Sequence, residues 1–250
     1  MKKLNPLSVI GVLREVRRGS GDKRPLGVAG ARELVPLLAR DLRTGGDAAA
    51  VVEDRVEGIA VLVWVGAADE ERLRAASKAG VPIVAVTDKA SLPYVFAGDH
   101  VRVPPGQGFP VDKITEAIAA KLGEDGTALA ARLPALRPAV CKQLIAQFSK
   151  RNALISAAIF IPGVDMPVLT LNQIRLVLRI ALAYGQEVDK ERATELLGVV
   201  GLGFGFRAVA RELLDFIPVA GWAVKGGVAY AGTKAVGEAA VRYFEARSDG

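Results

Sequence analysis

Few residues in this chain have the type and spacing that chemistry requires. Gly27 and Gly30 bracket the stretch Gly27-Val28-Ala29-Gly30 ahead of a helical pattern, with Arg32 just beyond. Backbone N–H groups at a helix N-terminus that follows such glycines can hold an anion. The plainer role of the pair is a tight turn from strand to helix, and that reading is preferred. His100 is the only histidine and Cys141 the only cysteine, which excludes a multi-histidine metal site and a zinc cluster. Asp99-His100 has no Gly-x-Ser-x-Gly elbow to serve, so His100 reads as a strand-edge residue. Cys141 lies in a helical stretch with no histidine near it and reads as packing. Asp165, between Pro162 and Pro167, is the one carboxylate framed by apolar residues. A turn or helix-cap aspartate is preferred there over a functional buried acid.

The elements that must position these residues alternate in the first half. Apolar runs at 24–29, 48–52, 59–65, 81–86 and 100–103 read as strands, and 31–43, 68–79 and 114–122 as helices. Leu34, Leu37, Leu38 and Leu42 form the apolar stripe of the first helix. Gly45-Gly46-Asp47 and Gly80 supply turns. Near-continuous apolar strands separated by helices predict a parallel sheet covered on both faces. Residues 123–127 read as a hinge. Beyond about 139 the pattern is helical, with expected helices at 139–161, 170–184, 191–215 and 222–247. Arg175 and Arg179 share one stripe of the second.

The run 59–65, then Asp69-Glu70-Glu71, then Val81 to Lys89 resembles the middle of a Ras-like or Era-like GTPase domain. The resemblance implies an Asn-Lys-x-Asp motif for guanine at the end of the last strand. Matched on Lys89, Asp88 stands where that family has Asn and Ser91 where it has Asp. A Walker A loop needs Gly-x-x-x-x-Gly-Lys-Ser/Thr to wrap phosphates, neutralise them and hold magnesium. The corresponding Gly27-Val28-Ala29-Gly30-Ala31-Arg32-Glu33-Leu34 has no Lys, Ser or Thr, and Glu33 opposes an anion. About 15 residues separate the first helix from the strand at 59, without Asp-x-x-Gly. Hydrolysis of GTP is not expected. Gly27, Gly30, Arg32, Asp88 and Lys89 remain as the candidate nucleotide- or anion-binding set.

The second half carries four elements in order. They are Pro162…Asp165…Leu169-Thr170…Gln173, Arg179-Ile180-Ala181…Tyr184-Gly185, Ile217-Pro218…Gly221, and Gly232-Thr233…Gly237…Tyr243-Phe244. This segment is similar to the domain of unknown function 697, found behind the G domain of a set of bacterial GTPases and in YcjF-like inner-membrane proteins. The resemblance implies association with membranes and with GTPase-type partners, and no established reaction. Charge-free stretches at 153–164 and 196–206 are shorter than the ~20 residues of a spanning helix. Gly201 and Gly205, and the stripe Gly227, Ala231, Ala235 and Ala239, are candidate close-packing surfaces, with Trp222 opening the last helix.

The chain has 250 residues, 51% hydrophobic, with net charge +6. The basic excess is dense only at Lys2, Lys3, Arg14, Arg17, Arg18, Lys23 and Arg24. No aromatic residue interleaves with that run, so nucleic acid is not an expected partner. No secretory signal is read at the N-terminus, because 9–13 is too short an apolar run. A lone cysteine suits a reducing cytosol. The expected fold is therefore a degenerate P-loop GTPase-like α/β domain over 1–136, followed by an all-α glycine-rich domain over 137–250. The expected function is a non-catalytic pseudo-GTPase interaction protein without a cofactor, at the inner face of the cell membrane, whose protein partner is a GTPase or a second copy. The alternatives are an atypical nucleotide-binding protein or weak NTPase, and a soluble scaffold for a separate GTPase.

Overall fold

The computed structural model describes residues 6–104, 106–158, 166–188 and 222–248. The helix expected at 191–215, Asp165, and the pair Gly201 and Gly205 lie outside the described residues. Contacts group the chain into two units, Asp22–Gln143 and Leu144–Gly250 together with Met1–Gly21. The expected halves divided at 136/137 and did not separate the N-terminal segment from the α/β half.

The α/β unit is built on five parallel strands: β1 (Leu26–Gly30), β2 (Val51–Glu53), β3 (Val61–Val65), β4 (Ile83–Thr87) and β5 (His100–Arg102). Their order is β2-β1-β3-β4-β5. The central strands are buried along their whole length, as the unbroken apolar runs required. Register places Gly30 beside Val65 and Val65 beside Val86.

Five helices flank or follow the strands: α2 (Val35–Arg43), α3 (Glu70–Lys78), α4 (Val111–Leu122) and α5 (Gly126–Arg132), with α6 (Arg137–Ala158) continuing into the second unit. The helix ahead of them, α1 (Pro6–Ser20), belongs to that second unit. Right-handed crossovers put α2 and α3 on opposite faces, because β1 is followed to one side and β3 to the other. On the α3 face, Leu73 and Ala76 pack with Leu62, Trp64, Ile83 and Ala85. Between β4 and β5 the chain makes no crossover helix. Instead Leu92 is buried beside α3, with Val95 packed against it. Asp69 caps α3 by accepting from the Arg72 N–H at 3.2 Å, and Gly80 at φ +69° ends that region.

Three sequence expectations change. The first helix starts at Val35, since Ala31 to Leu34 form the βα turn, and Leu37 is exposed while Val35 and Ala39 take its place inside. The strand expected at 48–52 is a 3-10 turn over Ala48–Ala50 followed by β2. Three alanines without β-branching yield there to the Asp47 carboxylate, which accepts from the Ala49 N–H at 2.9 Å. Residues 123–127 are no hinge: they turn directly into α5, where Thr127, Leu129 and Ala130 are buried. Residues 6–20 form a further helix, an element not read from the sequence.

Two carboxylates tie loops to this unit. The Ala49 N–H, then the Arg132 guanidinium, hold the Asp47 carboxyl below the ordinary aspartate value. The Arg24 guanidinium does the same to Asp22. A folded-state value below the unfolded one gives stability that is present above the unfolded carboxylate pKa and lost as pH falls through the folded one. The urea midpoint of the α/β transition is therefore expected to fall between pH 5 and pH 2. Asp47→Asn should flatten that decline, and an unchanged slope would contradict it.

Candidate functional site

In a doubly wound sheet of this order, ligands bind outside the carboxyl ends of the strands where the connections diverge, here between β1 and β3. That crevice is closed by backbone. Gly30 has φ +129°, and a Cβ on it would overlap the Val65 carbonyl oxygen and lie 2.9 Å from the Val65 nitrogen. The Ala31 N–H donates to the Val65 oxygen at 2.9 Å. Across the gap Gly66, at φ +91°, leaves only 3.0 Å between a Cβ and the Ala31 methyl.

The N-terminus of α2 is equally occupied. The Leu34 and Val35 N–H groups both donate to the Ala31 oxygen at 3.0 Å, and Pro36 has no N–H to offer. A phosphate cradle needs a run of consecutive unengaged N–H groups; with Ala31, Leu34 and Val35 engaged, this turn leaves those of Arg32 and Glu33, beside the Glu33 carboxylate. Gly27 is not in the loop at all. It sits within β1, where a Cβ would lie 2.7 Å from the Arg55 carbonyl oxygen. Its role is close packing.

Arg32 is exposed beside Glu33. Asp88 and Lys89 follow β4, two strands away, or roughly 10 Å at ordinary strand spacing. Lys89 faces Asp88 at 3.6 Å, and its N–H donates to the Thr87 hydroxyl at 3.2 Å. The sheet thus puts Gly30, Arg32, Asp88 and Lys89 on one edge. Asp99 is paired with Lys121 rather than with His100. His100 lies on the α3 face opposite Ala85, with both ring nitrogens buried and without a hydrogen-bond partner. Cys141 is buried, and no cluster of metal-binding side chains occurs among the described residues.

The helical unit holds the more developed constellation. It comprises α1, the later turns of α6, α7 (Met166–Ala183) and α8 (Trp222–Ser248). Val12 and Val16 of α1 are buried, and the helix lies along α7. A hydrogen-bonded seam crosses all four helices. Glu15 accepts from Arg175 at 2.8 Å, Arg175 donates to the Asn172 oxygen at 2.8 Å, and Asn172 donates to Asn152 at 2.8 Å. Asn152 in turn donates to the Thr233 hydroxyl at 2.9 Å, which donates to the Ala229 carbonyl at 2.8 Å. Asn152 and Thr233 are fully buried. The Arg175 and Arg179 stripe read from sequence is the part that meets Glu15. The rest was missed, although Ser149, Asn152 and Ser156 at i, i+3 and i+7 marked a polar helix face.

Of the stripe expected to pack α8, Ala239 is buried and the other three positions are not. Gly227 has no atom within 4 Å of a Cβ, Ala231 is exposed and Ala235 only half-buried. The packed face runs through Gly226, Thr233, Gly237, Ala240 and Phe244 instead. A Cβ on Gly237 would lie 2.6 Å from Ile145 and 3.1 Å from Leu176. Gly-rich periodicity allows several registers, and the seam at Thr233 selects this one. Trp222 opens α8.

On α1, Glu15 is turned to α7, leaving Arg14, Arg17 and Arg18 exposed at i, i+3 and i+4. They line, with Ile10 and Leu13, a recess of about 400 Å³. No helix among the described residues is long and apolar enough to cross a membrane.

A helical unit held by a buried polar seam, joined to a parallel α/β sheet, is the class that this fold defines. The family model described as a domain of unknown function (DUF697) matches residues 124–249, just over half of the chain. The chain belongs to that family. No curated protein and no solved structure matches it.

Proposed function

We propose that the protein is a non-catalytic interaction protein: a GTPase-like α/β unit that binds another protein, and a helical unit that associates with a membrane surface. The observation that carries the first half is the closure of the β1–β3 crevice by Gly30, Ala31 and Val65. With the strand ends clamped and the first N–H groups of α2 engaged, the exposed loops of this edge, Arg32 and Asp88-Lys89 among them, are open to a protein surface rather than to phosphates. The partner proposed is a GTPase or a second copy of this chain.

The membrane half is supported by the exposed arginine face of α1 and by the glycine-rich, apolar composition of the helical region. Anionic lipid attracts a cation near the surface by roughly 1 kcal/mol each. Peripheral or shallow association at the inner face of the cell membrane is the form proposed. Flotation with phosphatidylglycerol-containing vesicles tests it at low and high salt. The full chain is expected to float in both, with the bound fraction reduced but not abolished when salt screens the arginines. A chain that stays in the aqueous phase at either salt would leave a soluble scaffold as the better reading.

A further inference from the structure

We propose that the open side of β5 is a docking edge for a second copy of this chain, whose own β5 pairs with it antiparallel about a two-fold axis at Val101. This rests on the protein-binding reading of the α/β unit above and assigns it a surface and an occupant.

The sheet ends in β2 on one side and β5 on the other, and the two sides differ. Glu53 lies beside Val28, whose oxygen accepts from the Asp54 N–H at 2.8 Å, so the backbone groups of Val51 and Glu53 turn outward. Arg43 stops that side: it donates to the Val51 carbonyl at 3.0 Å and pairs with Glu53 at 2.9 Å. A charged side chain seated on an outer carbonyl keeps a further strand away. On β5, Arg102 lies beside Thr87, whose oxygen accepts from the Val103 N–H at 3.1 Å. The N–H and C=O groups of His100 and Arg102 therefore point away from β4. No hydrogen bond among the described residues engages them there.

The side chains of this edge complement their own copy. His100 and Arg102 alternate onto one face, that of α3. Both His100 ring nitrogens are buried without a hydrogen-bond partner, and Arg102 is exposed with no ion pair among the described residues. In a two-fold antiparallel pair centred on Val101, His100 of each copy stands opposite Arg102 of the other, and the two residues exchange both backbone bonds. This register pairs every outward group of both strands. A guanidinium only donates and a neutral imidazole offers an acceptor nitrogen, so the two side chains complete each other on both sides of the axis. His100 as a residue is only half-buried, and its broad χ2 well lets that nitrogen turn to the edge. Antiparallel pairing also sets the residues before β5 in one copy beside those after it in the other, which brings Phe96, 77% exposed, to the contact. The strand is 3 residues long, so the dimer is weak, with dissociation in roughly the micromolar-to-millimolar range.

Sedimentation velocity of the full chain, over the micromolar-to-millimolar range, is expected to show a reversible dimer. Arg102→Pro removes the outward N–H and the guanidinium but leaves the Val101 and Val103 bonds to β4, and proline is tolerated on an edge strand. It should weaken the dimer at least about tenfold, since the axis repeats each loss. Arg102→Leu, which keeps the N–H, should fall between the two. Register is read from Val101→Cys in a Cys141→Ala background. Residues facing across the axis lie about 4.5 Å apart at Cα, within disulfide reach, so mild oxidation should give a covalent dimer. Val103→Cys, off the axis, should not. A dimer that Arg102→Pro leaves intact, or that Val101→Cys does not cross-link, forms elsewhere: the edge is then wrong and the protein-binding reading stands. A chain that is monomeric throughout overturns the edge and the second copy together, and leaves a separate GTPase as the partner.

Discussion

Gly30→Ala is expected to destabilise the α/β unit by roughly 3–6 kcal/mol, enough to unfold much of it at room temperature. Two penalties coincide. The φ of +129° is one that a residue with a Cβ rarely adopts. The added methyl would also overlap the Val65 carbonyl, a backbone group fixed on both sides of the sheet by β1 and β4. A flexible side chain could swing aside, but a central strand cannot. Gly45→Ala is the control, because it has φ +68° and no atom within 4 Å of a Cβ. It carries only the conformational penalty, about 1–2 kcal/mol. Urea denaturation of both variants separates the two contributions. Equal midpoints would show that the β1–β3 edge is looser than described and that the crevice can open.

Asn152→Leu is expected to destabilise the helical unit by about 2–5 kcal/mol. The leucine has nearly the right volume but removes the link between Asn172 and Thr233. The Asn172 amide would then be buried without its acceptor, and the Thr233 hydroxyl would keep the Ala229 carbonyl and a long bond from Gln173 at 3.5 Å. Ser149, one turn earlier on α6, makes the opposite case. Its hydroxyl is fully buried with no hydrogen-bond partner, so Ser149→Ala is expected to stabilise by about 1 kcal/mol. Thermal melts followed by helical circular dichroism would check the pair. Two variants that shift in the same direction would mean that burial of polarity, not its pairing, governs this unit.

The sheet was legible because its strands are buried on both faces, and such strands write continuous apolar runs at 59–65 and 81–86 that need no partner to be recognised. The closed crevice was legible only as missing motif residues. That Gly27 belongs to the strand follows from the approach of the 55–59 segment, a tertiary contact with no local signature. Two features of the helical unit were hidden by the same ambiguity. Glycine and alanine recur so densely in α8 that 227/231/235 and 226/233/237 are equally periodic, and only the pairing of Thr233 with Asn152, 81 residues apart, decides between them. Likewise α1 was not read as an element, because the acid that docks it, Glu15, finds its arginines on α7, 160 residues later. The DUF697 segment was recognisable since its elements keep an order and spacing, whatever their packing.

Nucleotide binding to the full chain tests the central claim most directly. Fluorescent GTP and ATP analogues would be titrated with the protein in magnesium, and the titration repeated with Arg32→Ala and with Asp88→Ala/Lys89→Ala. With the crevice closed by Gly30 and Val65, no saturable magnesium-dependent signal is expected for the unmodified chain, nor any difference among the variants. Saturable binding that needs magnesium and is lost with Arg32 or Lys89 would contradict the account, and would make this edge a nucleotide site of an unfamiliar kind.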